Sequence, residues 1–297
     1  MKRPRRGISP ATLFFFLLSV GLAIALYLKT RPAPPEAPPA RPPAAAATAR
    51  PEPSPRTRLA ERGPTPSPRA ESPHVAGTPR IAILIDDLGN DAAAAERIAA
   101  WPYRVSAAVL PALPGSAKAA RELEESGKQV LLHLPMEPRE YPRMKPGPGV
   151  VLRSHSDEEI TRTVESDLET VPGAAGVNNH MGSAATADAR VMRAVARVLA
   201  QRGLFFVDSR TTGATVGQET AREEKVRAVS RRVFLDDDAT EPAISKSFAE
   251  LVAHARADGY AVGIGHPYAP TLAVLERELP KLADKGVHLV PVGDLAK

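Results

Sequence analysis

The 297-residue chain has no cysteine. That removes disulfides, thiolate metal sites and cysteine nucleophiles together, but it fits an exported and a cytosolic chain equally well. Aromatic residues are scarce, at 4% with one tryptophan; Trp101, Tyr103 and Tyr268 are the best placed to stack on a ligand ring. There is no G-x-S-x-G nucleophile elbow and no P-loop. Gly263-Ile264-Gly265 starts like a dinucleotide loop, yet it lacks the third glycine and Pro267 stands where a helix should open. A basic surface for nucleic acid is missing as well. The net charge of +5 is concentrated in residues 1–30 (+5) and 31–79 (seven Arg against four Glu), leaving 27 basic against 30 acidic residues beyond them.

What is present begins with a basic head, Lys2, Arg3, Arg5 and Arg6, followed by 22 uncharged residues from Gly7 to Leu28. About 18 helical residues rise ~27 Å, close to the hydrocarbon thickness of a bilayer. Residues 1–30 are therefore expected to form a transmembrane signal anchor. The positive head predicts a cytoplasmic N-terminus in a single-pass inner-membrane protein, with everything after Lys29 in the periplasm or outside the cell. The competing reading is a signal peptide cleaved after Ala23-Ile24-Ala25, although the apolar run continues past those residues. Residues 31–79 hold fifteen prolines and eleven alanines and almost no large apolar side chain. Such a segment cannot bury enough surface to offset ordering and is expected to act as a disordered linker. Its reach is about 40 Å as a coil and about 150 Å as polyproline helix.

From Arg80 onward, short β-branched runs alternate with amphipathic segments, the signature of βα units in one domain spanning 80–297. Strands are expected at Ile81–Ile85, Val105–Val109, Gln129–Leu134, Ala175–Asn178, Leu204–Val207, Val233–Leu235, Ala261–Ile264 and Val287–Val290. Among the helices, Ser156–Val171 opens with a capping box, and Thr186–Arg202 and Pro242–Asp258 end on Gly203 and Gly259. Eight parallel strands favour an α/β fold of deformed (β/α) barrel type. The Pro- and Gly-rich stretch Glu137–His155 is expected to lie over one mouth.

Three of the seven histidines, His133, His180 and His266, fall at the C-terminal ends of expected strands, as do the Asp86–Asp87 pair and Asp208. In parallel βα folds that edge gathers the active site. His74, His155, His254 and His288 sit elsewhere, and Asp236-Asp237-Asp238 reads as a solvated loop leading into a helix.

The segments Ile85-Asp86-Asp87-Leu88-Gly89, Leu132-His133-Leu134-Pro135-Met136-Glu137, Asn178-Asn179-His180-Met181-Gly182-Ser183, Val207-Asp208-Ser209-Arg210 and Gly263-Ile264-Gly265-His266-Pro267, in that order, resemble the divergent polysaccharide deacetylases, relatives of the NodB-type carbohydrate esterases. The resemblance implies a NodB-like barrel and a metal-dependent hydrolase that deacetylates a cell-envelope or exported polysaccharide. It implies Asp86 as general base and His266 as general acid, with Asp87 and His133 as ligands of a divalent metal, usually zinc. The pattern departs at Glu137, where the relatives have their second ligand histidine; His180 is the substitute. Glu137, Asn179, Asp208 and Ser209 are left as candidates for the surrounding shell or for substrate contact. The alternative is a glycan-binding or scaffold protein that keeps the barrel without the reaction; a metal-free glycoside hydrolase ranks third.

Overall fold

The structure, a computed structural model, describes residues 77–297. The expected anchor, and the linker as far as Ala76, lie outside the described residues. No helix among the described residues is long and apolar enough to cross a membrane.

Among the described residues, nine strands form one sheet in which every pairing is parallel. They are β1 (Arg80–Leu88), β2 (Ser106–Val109), β3 (Gln129–Met136), β4 (Gly176–Met181), β5 (Phe205–Asp208), β6 (Ala228–Ser230), β7 (Val233–Phe234), β8 (Tyr260–Gly265) and β9 (His288–Leu289). Their order is β6-β5-β4-β3-β2-β1-β8-β7, with β9 against the start of β1. The helices are α1 (Ala92–Ala99), α2 (Ser116–Glu125), α3 (Asp157–Thr170), α4 (Ala189–Arg202), α5 (Gly217–Glu223), α6 (Glu241–Asp258) and α7 (Ala269–Glu278). The Ser156 and Glu159 side chains each cap the other's backbone N–H, and α4 and α6 end on left-handed Gly203 and Gly259. α4 starts three residues later than the sequence predicts, because Asp188 caps its first turn by accepting from Arg190 and Val191. Strand β6 was not expected at all.

Why the strands read as unbroken apolar runs is visible in β1. Ile81, Ile83 and Ile85 pack in the cluster shared with helix residues such as Ile98, Leu123 and Leu251. Ala82 and Leu84 belong to a second cluster with Ala108, Leu131, Phe205, Val207, Val262 and Ile264, contributed by several strands and filling the barrel lumen. A strand buried on both faces has no polar side to alternate with.

The sheet's two edge strands, β6 and β7, do not pair with each other, but only Arg231 and Arg232 separate them in sequence. Three residue steps span at most about 11 Å, so the end of β6 and the start of β7 lie within that distance. The two linking residues reach to opposite edges: Arg231 N–H donates to Asp208 O at 2.9 Å and Arg232 N–H to Val262 O at 2.8 Å. The barrel closes through the chain itself rather than through a ladder.

Asp167 in α3 is 3% exposed, and Oδ2 has no hydrogen-bond partner. The 137–155 segment lies on it at Gly149, where φ is +71° and an added Cβ would overlap the carboxylate. Burial pushes the carboxyl up to about 8. The unfolded chain releases this proton near pH 4 and the folded chain only near 8. Between those values the folded state holds more protons, so this group makes stability fall as pH rises. Chemical denaturation from pH 4 to 8 should show Asp167→Asn losing less stability over that window than wild type. Parallel pH profiles for the two proteins would defeat the assignment.

Candidate active site

Side-chain alternation decides which strand-end residues meet. Ala82 and Leu84 face the lumen, so Asp86 does too; Leu131 places His133 there, Val207 places Ser209 and Ile264 places His266. The β3–β4 register sets Asn178 opposite His133 and His180 opposite Pro135. Asp87 should then point outward towards the helices. It does not, because the β1–β2 register shifts between Ile85 and Leu88 and Asp87 takes a left-handed φ of +59°. The irregularity brings two consecutive carboxylates to one mouth.

There, Asp87 Oδ1 lies 3.2 Å from His133 Nε2 and 3.0 Å from His180 Nδ1, and the two nitrogens are 3.1 Å apart. Asp87 Oδ1 is buried yet in hydrogen-bond alignment with neither ring. Asp86, 3% exposed, holds one oxygen against the Asn178 amide at 2.9 Å and the other 3.6 Å from His133 Nε2. The Asn178 NH2 is committed to that carboxylate, so its Oδ1 accepts from His133 Nδ1 at 3.0 Å. This fixes the tautomer: neutral His133 presents an unprotonated Nε2 to Asp87 and His180.

Across the mouth, His266 Nε2 is 3.8 Å from Asp87 Oδ2. Its ring Nδ1 meets Asp236 Oδ1 at 3.0 Å, its backbone N–H donates to Asp236 Oδ2 at 2.6 Å, and the Thr271 hydroxyl donates to the same oxygen at 2.7 Å. Phe234 meets the imidazole edge-on, and Tyr268, 47% exposed, stacks on it at 5.3 Å.

The electrostatics call for a positive charge. Burial pushes Asp86 above the ordinary carboxylate range, more than nearby His133 and His266 draw it down. Burial would raise Asp87 as well, but the two imidazoles against it outweigh that and hold it far below. Burial draws His133 down; Asp86 and Asp87 overcome it and leave the ring raised. His266 behaves alike, with burial outweighed by the hydrogen bond and charge of Asp236 and by Asp86 and Asp87. One carboxylate oxygen and two imidazole nitrogens within 4.8 Å of one another form a donor set that a divalent cation fits.

The remaining candidates hold the frame. Glu137 is bound to Arg153, by its backbone N–H at 2.7 Å and its guanidinium at 3.0 Å, and stands outside the three-atom cluster. Asp208 faces the helix side, as the lumen position of Val207 requires, and accepts from Arg210 N, Thr215 Oγ1 and Gln218 N at the start of α5. Asn179 joins β4 to β5 by accepting from Ser209 N, and Ser209 Oγ accepts from Asn178. Two site residues were not expected. Asp236, read as solvated, is 4% exposed and holds His266, whereas Asp237 and Asp238 are exposed as predicted. Asn178 stands in the sequence only as part of a motif, with no role of its own; its even spacing from His180 is the signal that puts both side chains in the lumen.

A sequence profile of the family described as divergent polysaccharide deacetylase matches residues 83–296. An uncharacterized protein of Haemophilus influenzae is 37% identical over 216 residues, covering 73% of this chain and 76% of that one. The uncharacterized protein YibQ of Escherichia coli is 37% identical over 206 residues, or 69% of this chain and 63% of its own. The crystal structure of uncharacterized protein ATU2773 from Agrobacterium tumefaciens superposes with a TM-score of 0.72 at 23% identity, covering 76% of this chain and 92% of that one.

The Asp236–His266 contact has a direct spectroscopic readout. Asp236→Asn keeps the side-chain shape and removes the charge, so the His266 imidazole should titrate at lower pH in an NMR pH series than in wild type. An unchanged midpoint would mean that Asp236 only braces the loop.

Proposed function

Because this chain belongs to the divergent polysaccharide deacetylase family, we propose that its mouth hydrolyses acetyl groups from a cell-envelope or exported polysaccharide with a divalent metal, zinc by its donor set. The observation that carries the reading is the convergence of Asp87 Oδ1, His133 Nε2 and His180 Nδ1 beside two groups placed for proton transfer, Asp86 and His266. Asp87, His133 and His180 would hold the cation. Three protein ligands leave coordination open, and a cation there acidifies water and polarises an acyl carbonyl.

The chain's own residues move the protons. The Asp86 oxygen not held by Asn178 accepts the proton of the attacking water as the new C–O bond forms. Its raised pKa makes it a stronger base than an ordinary carboxylate. His266 Nε2 donates to the leaving nitrogen or oxygen as the acyl bond breaks, releasing acetate, while Asp236 keeps Nδ1 protonated and the ring aimed. Tyr268, exposed and stacked on His266, offers its face to a sugar ring.

The anchor reading of residues 1–30 is part of the proposal and places this domain outside the cytoplasm on a long linker. A reporter active only outside the cytoplasm, fused after Lys297, should work, and the protein should stay with membranes through high-salt washing. Soluble protein beginning near residue 26 would show cleavage instead.

Metal-to-protein ratio measured beside acetate release from acetylated glycans separates the roles. Asp87→Asn and His180→Ala should lose metal and activity together. Asp86→Asn should keep its metal and lose about 10²- to 10⁴-fold in turnover, the usual contribution of a positioned base. If Asp86→Asn sheds the metal and Asp87→Asn keeps it, the pair is assigned backwards; a wild-type protein that takes up no metal sinks the hydrolase reading.

Activity should rise with pH as Asp86 ionises and fall as His266 loses its proton. Because His266 is raised above 6.5, the basic limb should lie above that value. His266→Ala should lower the rate and abolish that limb; a limb surviving in this variant would assign the acid to another group.

A further inference from the structure

The closing dipeptide of the barrel carries two arginines, and a third, Arg210, stands at the end of β5 beside them. Arg232 pairs with Asp258 at 3.4 Å. Arg231 is held differently: its Nε donates to Ser209 O at 2.7 Å, its Nη2 to Arg210 O at 3.0 Å, and the guanidinium lies 5.0 Å over the Phe234 ring. Those bonds use two of its five N–H donors. Among the described residues, neither Arg210 nor Arg231 has a carboxylate within ion-pair distance.

Burial and then the charge of Arg210 depress the Arg231 pKa, with Asp208, Asp86 and Asp237 acting the other way. Arg210 is exposed and Arg231 is held by its carbonyl partners; like charges facing one groove repel, and an anion between them would relieve that repulsion. Arg210 and Arg231 line a groove of about 470 Å³ with Gln218, Ser230, Tyr260 and the paired Arg232 and Asp258, within the ordinary range for a small-ligand site.

The groove shares its wall with the active site. Ser209, whose carbonyl takes the Arg231 bond, meets through its hydroxyl the Asn178 that holds Asp86. Phe234, under the Arg231 guanidinium, also packs edge-on against His266 at 5.3 Å. Ser209 and Phe234 thus connect the Arg231 side of the groove to the residues of the mouth.

We propose that the seam of the barrel is a subsite for a sugar carboxylate, so that the acetylated glycan taken by this chain is an acidic one. The inference rests on the hydrolase reading for its substrate class. A carboxylate matches the planar guanidinium fork, and its single charge meets less repulsion from Asp86, Asp208 and Asp237 than a dianionic phosphate would.

The test is calorimetric binding to the full-length Asp86→Asn protein in detergent. The probes are an N-acetylglucosamine oligomer and an oligomer of equal length carrying a lactyl carboxylate on alternate sugars. The carboxylated oligomer should bind about 10-fold or more tightly, as charge-assisted hydrogen bonds imply, with the advantage shrinking at high salt. Adding Arg210→Asn, a residue that tolerates the left-handed φ of +48° at this position, should bring the ratio of affinities near one. Arg231→Lys, which keeps charge but loses the fork, should give an intermediate ratio. Equal affinities, no binding of either oligomer, or a preference that survives Arg210→Asn would overturn the subsite. Acetate release by the wild-type chain separates the two readings. A preference without any acetate release leaves the subsite and defeats the hydrolase; acetate released from the neutral oligomer without any preference does the reverse.

Discussion

A carboxylate taken out of water has to be satisfied, and for Asp86 that falls largely on one amide. Asn178 gives its NH2 to Asp86, which turns its carbonyl towards His133 and leaves that ring no choice of tautomer. One hydrogen bond thereby orients Asp86, the proposed base, and fixes which nitrogen of His133 faces Asp87. The same side chain meets Ser209, and through it the strand end that carries Arg210. Packing supplies the rigidity this needs: Leu131 and Val207 in the lumen and Val177 on the helix side hold β3, β4 and β5 in register below the site.

On the opposite wall the same logic runs through Asp236, which receives three donors from His266 and Thr271. Asp86 and His266 are thus each held by a buried polar partner, Asn178 and Asp236. The metal candidates between them are different. Asp87 Oδ1 has two ring nitrogens close by and no aligned donor, so that part of the site favours positive charge. Such a preference would be met by a protonated imidazole or by a cation held at Asp87, His133 and His180.

The barrel was legible because strands buried on both faces announce themselves as apolar runs, and parallel connection forces their C-terminal ends to one edge. Asp86, His133, His180 and His266 followed from that alone. β6 escaped because three residues, Ala228 to Ser230, flanked by arginines carry too little pattern to stand out. Asp236 escaped for another reason: its surroundings are made by Thr271 and His266, 35 and 30 residues away, whereas its neighbours Asp237 and Asp238 are solvated. Asp208 could have been placed by counting, since a residue next to lumen-facing Val207 must face the helices; counting would have put Asp87 on the wrong side, because the irregularity that turns it inward leaves no mark in the residue types.

The left-handed backbone at Asp87 bears on how this family can change over time. Conformations of that kind are comfortable for glycine, asparagine and aspartate and strained for most others. Drift at this position therefore runs first to asparagine or glycine, which satisfy the turn and discard the negative charge. A descendant that took that path would keep the backbone turn while losing the carboxylate proposed to hold the cation. In such a lineage, shape is a record of ancestry, and the identity of one residue is the record of whether the chemistry survives.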